Sequence, residues 1–348
     1  MTSTVDRDLL RRLPKAELHC HLDGSVRPAT LLELGTEYGV VMPRADEESL
    51  RDFMIVKDAR SLEEYLERFS ITLSVMQSAD ALERIAYELA EDAAAEGVRY
   101  IEVRYAPVLN LRDGLTMERS VEATLAGLAR AEREHGIAGR VIVCALRHMT
   151  PELSLELARL AVGFKGRGVV GFDLAGGEAG NAASRHAPAF FHAREHDLAC
   201  TCHAGEGAGA ASVRQAVHLC GADRLGHATR LIEDESLTEY VNDRRIALEI
   251  CLTSNVQTRA ASSYEVHPFR EYFDRGLNVV LNTDNRLMSG TTLVDEYALA
   301  AERLDFTLDE LSTVALNGFE SAFLPWAERQ ELLARARAEI EALRAPAR

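Results

Sequence analysis

The chain has 348 residues, 47% of them hydrophobic, which is enough for a large core, and a formal net charge of −16. That acidity, with no basic patch interleaved with aromatics, argues against nucleic acid or an anionic membrane surface as a partner. The start, Met1 to Leu13, has no apolar signal-peptide core, and no apolar run reaches roughly 18 residues, so the sequence predicts a soluble, cytoplasmic protein.

Short runs rich in apolar and β-branched residues alternate with longer helical stretches. In chain order the predicted strands are Ala16 to His21, Tyr100 to Ala106, Arg140 to Leu146, Val169 to Ala175, Ala199 to Ala204, Arg224 to Ala228, Ala247 to Ser254 and Asn278 to Thr283. Helical spacing is read over Ala81 to Glu96, Val121 to His135, Leu153 to Phe164, Ser212 to Leu219 and Ser236 to Asn242, with Gly97 and Gly136 as stop signals. Eight such units predict an α/β fold, a (β/α)8 TIM-type barrel, as a single domain over residues 1–348. An open doubly wound sheet would want a glycine-rich phosphate loop after its first strand, and His21-Leu22-Asp23-Gly24 stands there instead.

Residues 27–80 form a long insertion after strand one. It carries Leu62, Tyr65, Leu66 and Phe69 at i, i+3, i+4 and i+7. This spacing suits either a helix packed on the barrel or an apolar lid over its mouth. The tail, 327–348, contains a charged amphipathic helix over Ala327 to Leu343. Six cysteines are scattered through the chain, none in C-x-x-C, and are expected as buried, reduced thiols.

In a barrel of this kind chemistry sits at the C-terminal ends of the strands. Strand one ends in His19-Cys20-His21, whose imidazoles share one face because side chains alternate along a strand. Strand four ends in Ala175-Gly176-Gly177-Glu178, and strand five in His203-Ala204-Gly205-Glu206. Strands six, seven and eight end in Gly226-His227, Thr253-Ser254-Asn255 and Thr283-Asp284-Asn285. Alone, His227 reads equally as a core histidine and Asp284 as a turn residue. Together, on one rim, they point to a metal site. Three neutral imidazoles and a carboxylate suit Zn²⁺, with Fe²⁺, Mn²⁺, Ni²⁺ or Co²⁺ possible. Such an ion lowers the pKa of bound water towards about 7. Glu206, three residues past His203, is placed as general acid or base, and His227 to take or orient the water's proton.

At these residues the chain resembles the adenosine deaminase family of the amidohydrolase superfamily. The matching stretches are Pro14 to Ser25, Phe172-Asp173-Leu174-Ala175-Gly176, His203 to Glu206, Gly226-His227, Leu252 to Asn255 and Asn282-Thr283-Asp284. They run in family order over about residues 12–330. The resemblance implies one Zn²⁺ per chain, or another divalent metal, held by His19, His21, His203 and Asp284. It implies Glu206 as proton donor to purine N1, and His227 orienting and helping to deprotonate the metal's water. The Gly176 N–H would meet N3, Asp23 would receive the ribose 5′-hydroxyl, and Leu62, Tyr65, Leu66 and Phe69 would form the lid. The implied reaction is hydrolysis of the 6-amino group of an adenine nucleoside, adenosine or 2′-deoxyadenosine, to the 6-oxo product and ammonia, the zinc-activated hydroxide attacking C6.

One residue departs from the family. Many members follow the metal Asp with a second Asp that reads purine N7, and here Asn285 stands there. An amide NH₂ donates to N7 without needing to be protonated, so purine recognition is expected to survive. The 5′ substituent stays open. Related bacterial enzymes act on 6-aminodeoxyfutalosine, whose 5′ carboxylate Arg27 or Arg286 could pair with, whereas Asp23 favours a free 5′-hydroxyl. A binuclear amidohydrolase would want a Lys at the end of strand four, and none is there. A non-catalytic barrel would have lost Glu206 or a ligand, and all are present. The sequence specifies no oligomeric state.

Overall fold

The apolar runs become eight strands in a computed structural model that describes residues 5–56, 68–112 and 114–344. They are β1 (Lys15–His21), β2 (Val98–Tyr105), β3 (Ala138–Leu146), β4 (Val169–Ala175), β5 (Ala199–Ala204), β6 (Arg224–His227), β7 (Ala247–Ile250) and β8 (Val279–Leu281). Each pairs in parallel with the next, in the order β1 to β8. The first strand meets the extension of the last. His21 N–H donates to the Asp284 carbonyl (2.7 Å), Asp284 N–H donates to that of His19 (3.0 Å), and Cys20 bridges Asp284. The α/β barrel is thereby nearly closed.

Helices between the strands begin where hydroxyls can satisfy their first N–H groups. Ser78 caps Ala79–Ala95, Thr116 caps Met117–His135 and Thr150 caps Pro151–Gly163. Their apolar faces cover the outer faces of the strands. The tail helix, Trp326–Arg344, packs Leu333 and Ala336 with Ala16, Leu18, Tyr100 and Val280 of β1, β2 and β8. All six cysteines are buried thiols.

Inside the barrel the packing is charged. Tyr100, Glu102 and Arg104 of β2, Asp173 of β4, Arg224 of β6 and Glu249 of β7 are all buried. Alternation along β2 puts the first three on one side. Arg224 pairs with Glu102 and, at 2.7 Å, with Glu249. Burial of such ions requires partners, and Arg224, Glu102 and Glu249 supply them to one another.

Strand seven is shorter than expected. It ends at Ile250, and Leu252–Gln257 is a helix. The polar run Thr253-Ser254-Asn255 finds partners other than a strand ladder. Thr253 donates to Glu296, and Ser254 Oγ donates to Asp284 at 2.6 Å. In the insertion the described residues form helices Pro28–Tyr38, Glu47–Met54 and Phe69–Val75. Leu62, Tyr65 and Leu66 lie outside the described residues.

Candidate active site and metal centre

The strand ends deliver four ligand atoms to one point. One atom each from His19, His21, His203 and Asp284 lies within 4.8 Å of the others. His21 Nε2 and His203 Nε2 face each other at 3.1 Å, and Asp284 Oδ1 is 3.3 Å from His19 Nε2 and 3.4 Å from His21 Nε2. Asp284 sits in the left-handed region (φ 62°), a conformation L-residues adopt at a cost, and this turn leaves its carboxylate against β1.

What lies behind the imidazoles decides their tautomers. His19 Nδ1–H donates to Glu249 (2.8 Å), and His203 Nδ1–H donates to Asp173 (3.1 Å). Both rings therefore present a lone pair at Nε2. Arg104 joins the two carboxylates, at 3.1 Å from Asp173 and 2.9 Å from Glu249. Burial alone would raise both carboxyl pKa values. For Asp173, His203 and Arg104 outweigh it, and for Glu249, Arg104 and Arg224 do, so both stay ionised well below the usual range. Burial holds His21 and His203 below the ordinary histidine value, hence neutral. His19 Nε2 is buried with no hydrogen-bond partner. Two oriented lone pairs, a third imidazole and a carboxylate are a donor set that fits a divalent d-block ion.

Beside the ligands opens a cavity of about 290 Å³. His21, His203, Asp284, Glu206 and His227 line its polar wall, with Asp23, Gly176 and Asn285, while Phe69, Leu73, Leu109 and Leu146 line much of the rest, with Ser70 and His148 among them. Glu206 Oε1 accepts from Thr258 (3.0 Å), and its Oε2 lies 3.5 Å from His227 Nε2. Glu178 holds this loop by accepting from the N–H groups of Gly205, Glu206, Gly207 and Ala208 at 2.7–2.9 Å. Burial raises Asp23 to about 7 and pushes His227 well below its ordinary value. Gly24 allows the loop after β1 to lie on Asn285, since a Cβ there would come 1.8 Å from Asn285 Oδ1.

The structure brings together His19, His21, Asp23, Phe69, Gly176, His203, Glu206, His227, Asp284 and Asn285, but not the two arginines. Arg27 pairs with Asp92 (2.6 Å) and Glu91 (2.7 Å), and none of the three lines the cavity. Arg286 is buried between Glu17 and Glu96, both at 2.5 Å. Their expected pairing with a substrate carboxylate is corrected accordingly. Arg104, Glu249, Thr258 and His267 escaped the sequence reading. For Arg104 and Glu249 the one signal was a charged residue inside an otherwise apolar run, as in Ala247-Leu248-Glu249-Ile250; Thr258 and His267 lie in polar stretches and gave none. A second ligand-like group, His192, Glu195 and His196, lies on the outer helix Ala187–Glu195 and its cap, largely exposed.

A (β/α)8 barrel with an imidazole–carboxylate metal set and a carboxylic acid on one wall of its mouth defines a metal-dependent hydrolase of the amidohydrolase kind. The adenosine deaminase family profile matches residues 14–338. An adenosine deaminase of Mycobacteroides abscessus is 43% identical, over 96% of this chain and 96% of its own. Among solved structures, an adenine deaminase of Arthrobacter aurescens superposes with a TM-score of 0.87 at 27% identity, covering 94% of this chain and 99% of that one. An amidohydrolase of Burkholderia ambifaria with bound Zn does so with a TM-score of 0.87 at 26% identity, covering 99% and 94%. The chain belongs to the adenosine deaminase family, and it is a hydrolytic deaminase. Among the described residues no helix is long and apolar enough to cross a membrane.

Proposed function

We propose that the chain converts adenosine and 2′-deoxyadenosine to inosine and 2′-deoxyinosine with release of ammonia. One observation carries this reading: three of the four clustered ligand residues, His21, His203 and Asp284, line one small cavity together with Glu206 and His227, and His19 completes the ligand cluster behind them. Zn²⁺ is the ion proposed for His19, His21, His203 and Asp284, and when bound it supplies an activated water at neutral pH. Glu206 delivers a proton to purine N1, which makes C6 electrophilic. Thr258 donates to its Oε1, and its Oε2 lies 3.5 Å from His227 Nε2. His227 orients the attacking water. Asn285 donates its amide to N7, Gly176 N–H meets N3, and Asp23, neutral or ionised near pH 7, accepts the 5′-hydroxyl. Phe69 and Leu73 on the apolar side exclude bulk water. Six buried thiols accord with a reducing, cytoplasmic setting.

The alternative, 6-aminodeoxyfutalosine, loses support because Arg27 and Arg286 are both engaged by carboxylates of the protein. A cavity of about 290 Å³ also falls just below the roughly 300–1,000 Å³ usual for small-molecule sites. The test compares kcat/KM for adenosine, 2′-deoxyadenosine, adenine and 6-aminodeoxyfutalosine. Adenosine or its deoxy form should lead, and a clear preference for either other compound would end the reading. Glu206→Gln should keep its metal yet lose about 10²–10⁴ in kcat. Retention of activity within about threefold would remove Glu206 from the proton-transfer role.

A further inference from the structure

Four buried groups form a chain of hydrogen bonds that ends on His227. Phe269 N–H donates to His267 Nδ1 at 3.1 Å. A backbone amide can only donate, so His267 Nδ1 is the acceptor. A neutral imidazole then carries its proton on Nε2. Burial holds His267 down at about 3, so it is neutral at pH 7. Its Nε2–H donates to Asn255 Oδ1 at 3.1 Å. That fixes the orientation of the Asn255 amide, because the reverse flip would set two donors face to face. Asn255 therefore turns its NH₂ towards His227 and donates to Nδ1 at 2.9 Å. His267, Asn255 and His227 are 3%, 0% and 1% exposed, so water does not compete for these positions.

We infer that His267 and Asn255 are positioning residues that lock His227 as the Nε2–H tautomer, making it a hydrogen-bond donor to the attacking water and not the base that deprotonates it. This rests on the deaminase reading for the identity of the reaction, but the tautomer does not depend on the substrate. A neutral imidazole whose Nδ1 accepts from Asn255 has no lone pair at Nε2. With Nδ1 taken by the Asn255 donor, the single ring proton sits on Nε2. The proton of the water then goes to Glu206, the carboxylate beside His227, whose Oε2 is 3.5 Å from His227 Nε2. The balance closes on this one carboxylate. Glu206 takes a proton from water as the C6–O bond forms and gives it to N1. It then takes the hydroxyl proton of the C6 adduct and gives it to the amine. The C6–N bond breaks with its electron pair, ammonia leaves, C6=O forms and the carboxylate is regenerated. The expectation that His227 helps to remove the proton gives way to a role in aiming and stabilising the oxygen.

The experiment is long-range ¹H–¹⁵N NMR of the holoenzyme labelled in histidine, with resonances assigned by His227→Gln and His267→Gln. Wild type should show His227 protonated at Nε2. Asn255→Asp reverses the lock, because a carboxylate accepts from both rings and leaves His227 as the Nδ1–H tautomer. Its kcat should fall at least about 100-fold, with KM changed less than threefold. His267→Gln keeps a donor to Asn255 Oδ1 and should retain the tautomer and most of kcat, whereas His267→Leu should lose both. Wild-type His227 protonated at Nδ1 would overturn the inference outright, and needs no variant to fold. So would an Asn255→Asp enzyme that flips the tautomer but keeps kcat within about threefold. Failure on adenosine with the Nε2–H signal intact would instead count against the substrate reading.

Discussion

His19, His21 and His203 at the barrel mouth and His192 with His196 on the outer helix are the same side chain in two settings. At the mouth, two rings are held from behind by Glu249 and Asp173, and Arg104 keeps both carboxylates charged. On the helix, His196 Nδ1–H has only a carbonyl of its own helix, that of His192, at 2.9 Å. The first group is buried, with one nitrogen left without a partner, and the second faces water. Ligand atoms within reach of one another are common to both. The carboxylates that orient the rings belong to one alone, and they separate a candidate metal centre from a pair of surface histidines.

The largest test of this contrast is Asp284→Ala. Metal content and kcat/KM should fall together, by well over the roughly 100-fold expected for loss of a supporting hydrogen bond. Stoichiometric metal retained in the purified variant would refute the ligand set. Next comes Arg104→Met, which takes away the cation shared by two buried carboxylates, Asp173 and Glu249. Denaturant unfolding should report a loss of about 3–5 kcal/mol. A loss below about 1 kcal/mol would show that the carboxylates do not need their arginine. Asp173→Asn and Glu249→Gln keep shape but remove charge. Each should lower metal affinity by about 10–100-fold, read from competition with a chelator. Unchanged affinity in both would mean that the backing carboxylates are spectators. The smallest expected effect is His196→Ala, which should leave metal content and kcat/KM where they were and move stability by less than about 0.5 kcal/mol. A drop in bound metal would break the contrast.

Much of the site was legible because its residues fall where a regular element ends. The two-residue repeat put His19 and His21 on one face, and a polar residue closing an apolar strand marked Glu206, His227 and Asp284. The boundary of β7 was not legible. Leu252-Thr253-Ser254-Asn255 continues the apolar strand in composition, and it turns into a helix because Glu296 and Asp284, distant in the chain, take its donors. The arginines misled for a related reason. Arg27 and Arg286 lie beside site residues in the chain, but their partners, Glu91, Asp92, Glu17 and Glu96, come from elsewhere in the fold. The lock on His227 needed three dimensions too, since His267 is remote from strand six and carries no motif.

The backbone pairing of Cys20 with Asp284 has a consequence for how the molecule is made. The seam where the first strand meets the extension of the last is also where half of the ligand set meets the fourth member. No stretch of chain emerging from a ribosome can assemble the centre until β8 has been synthesised and has docked. Contacts so distant in sequence form late, after most of the loop-closure entropy has been spent. Synthesis therefore passes through a long inert stage, in which any hold on an ion by β1 and β5 is partial. The last strand to arrive closes the barrel and arms it in one step, and an ion gripped across that seam staples the two ends of the fold together.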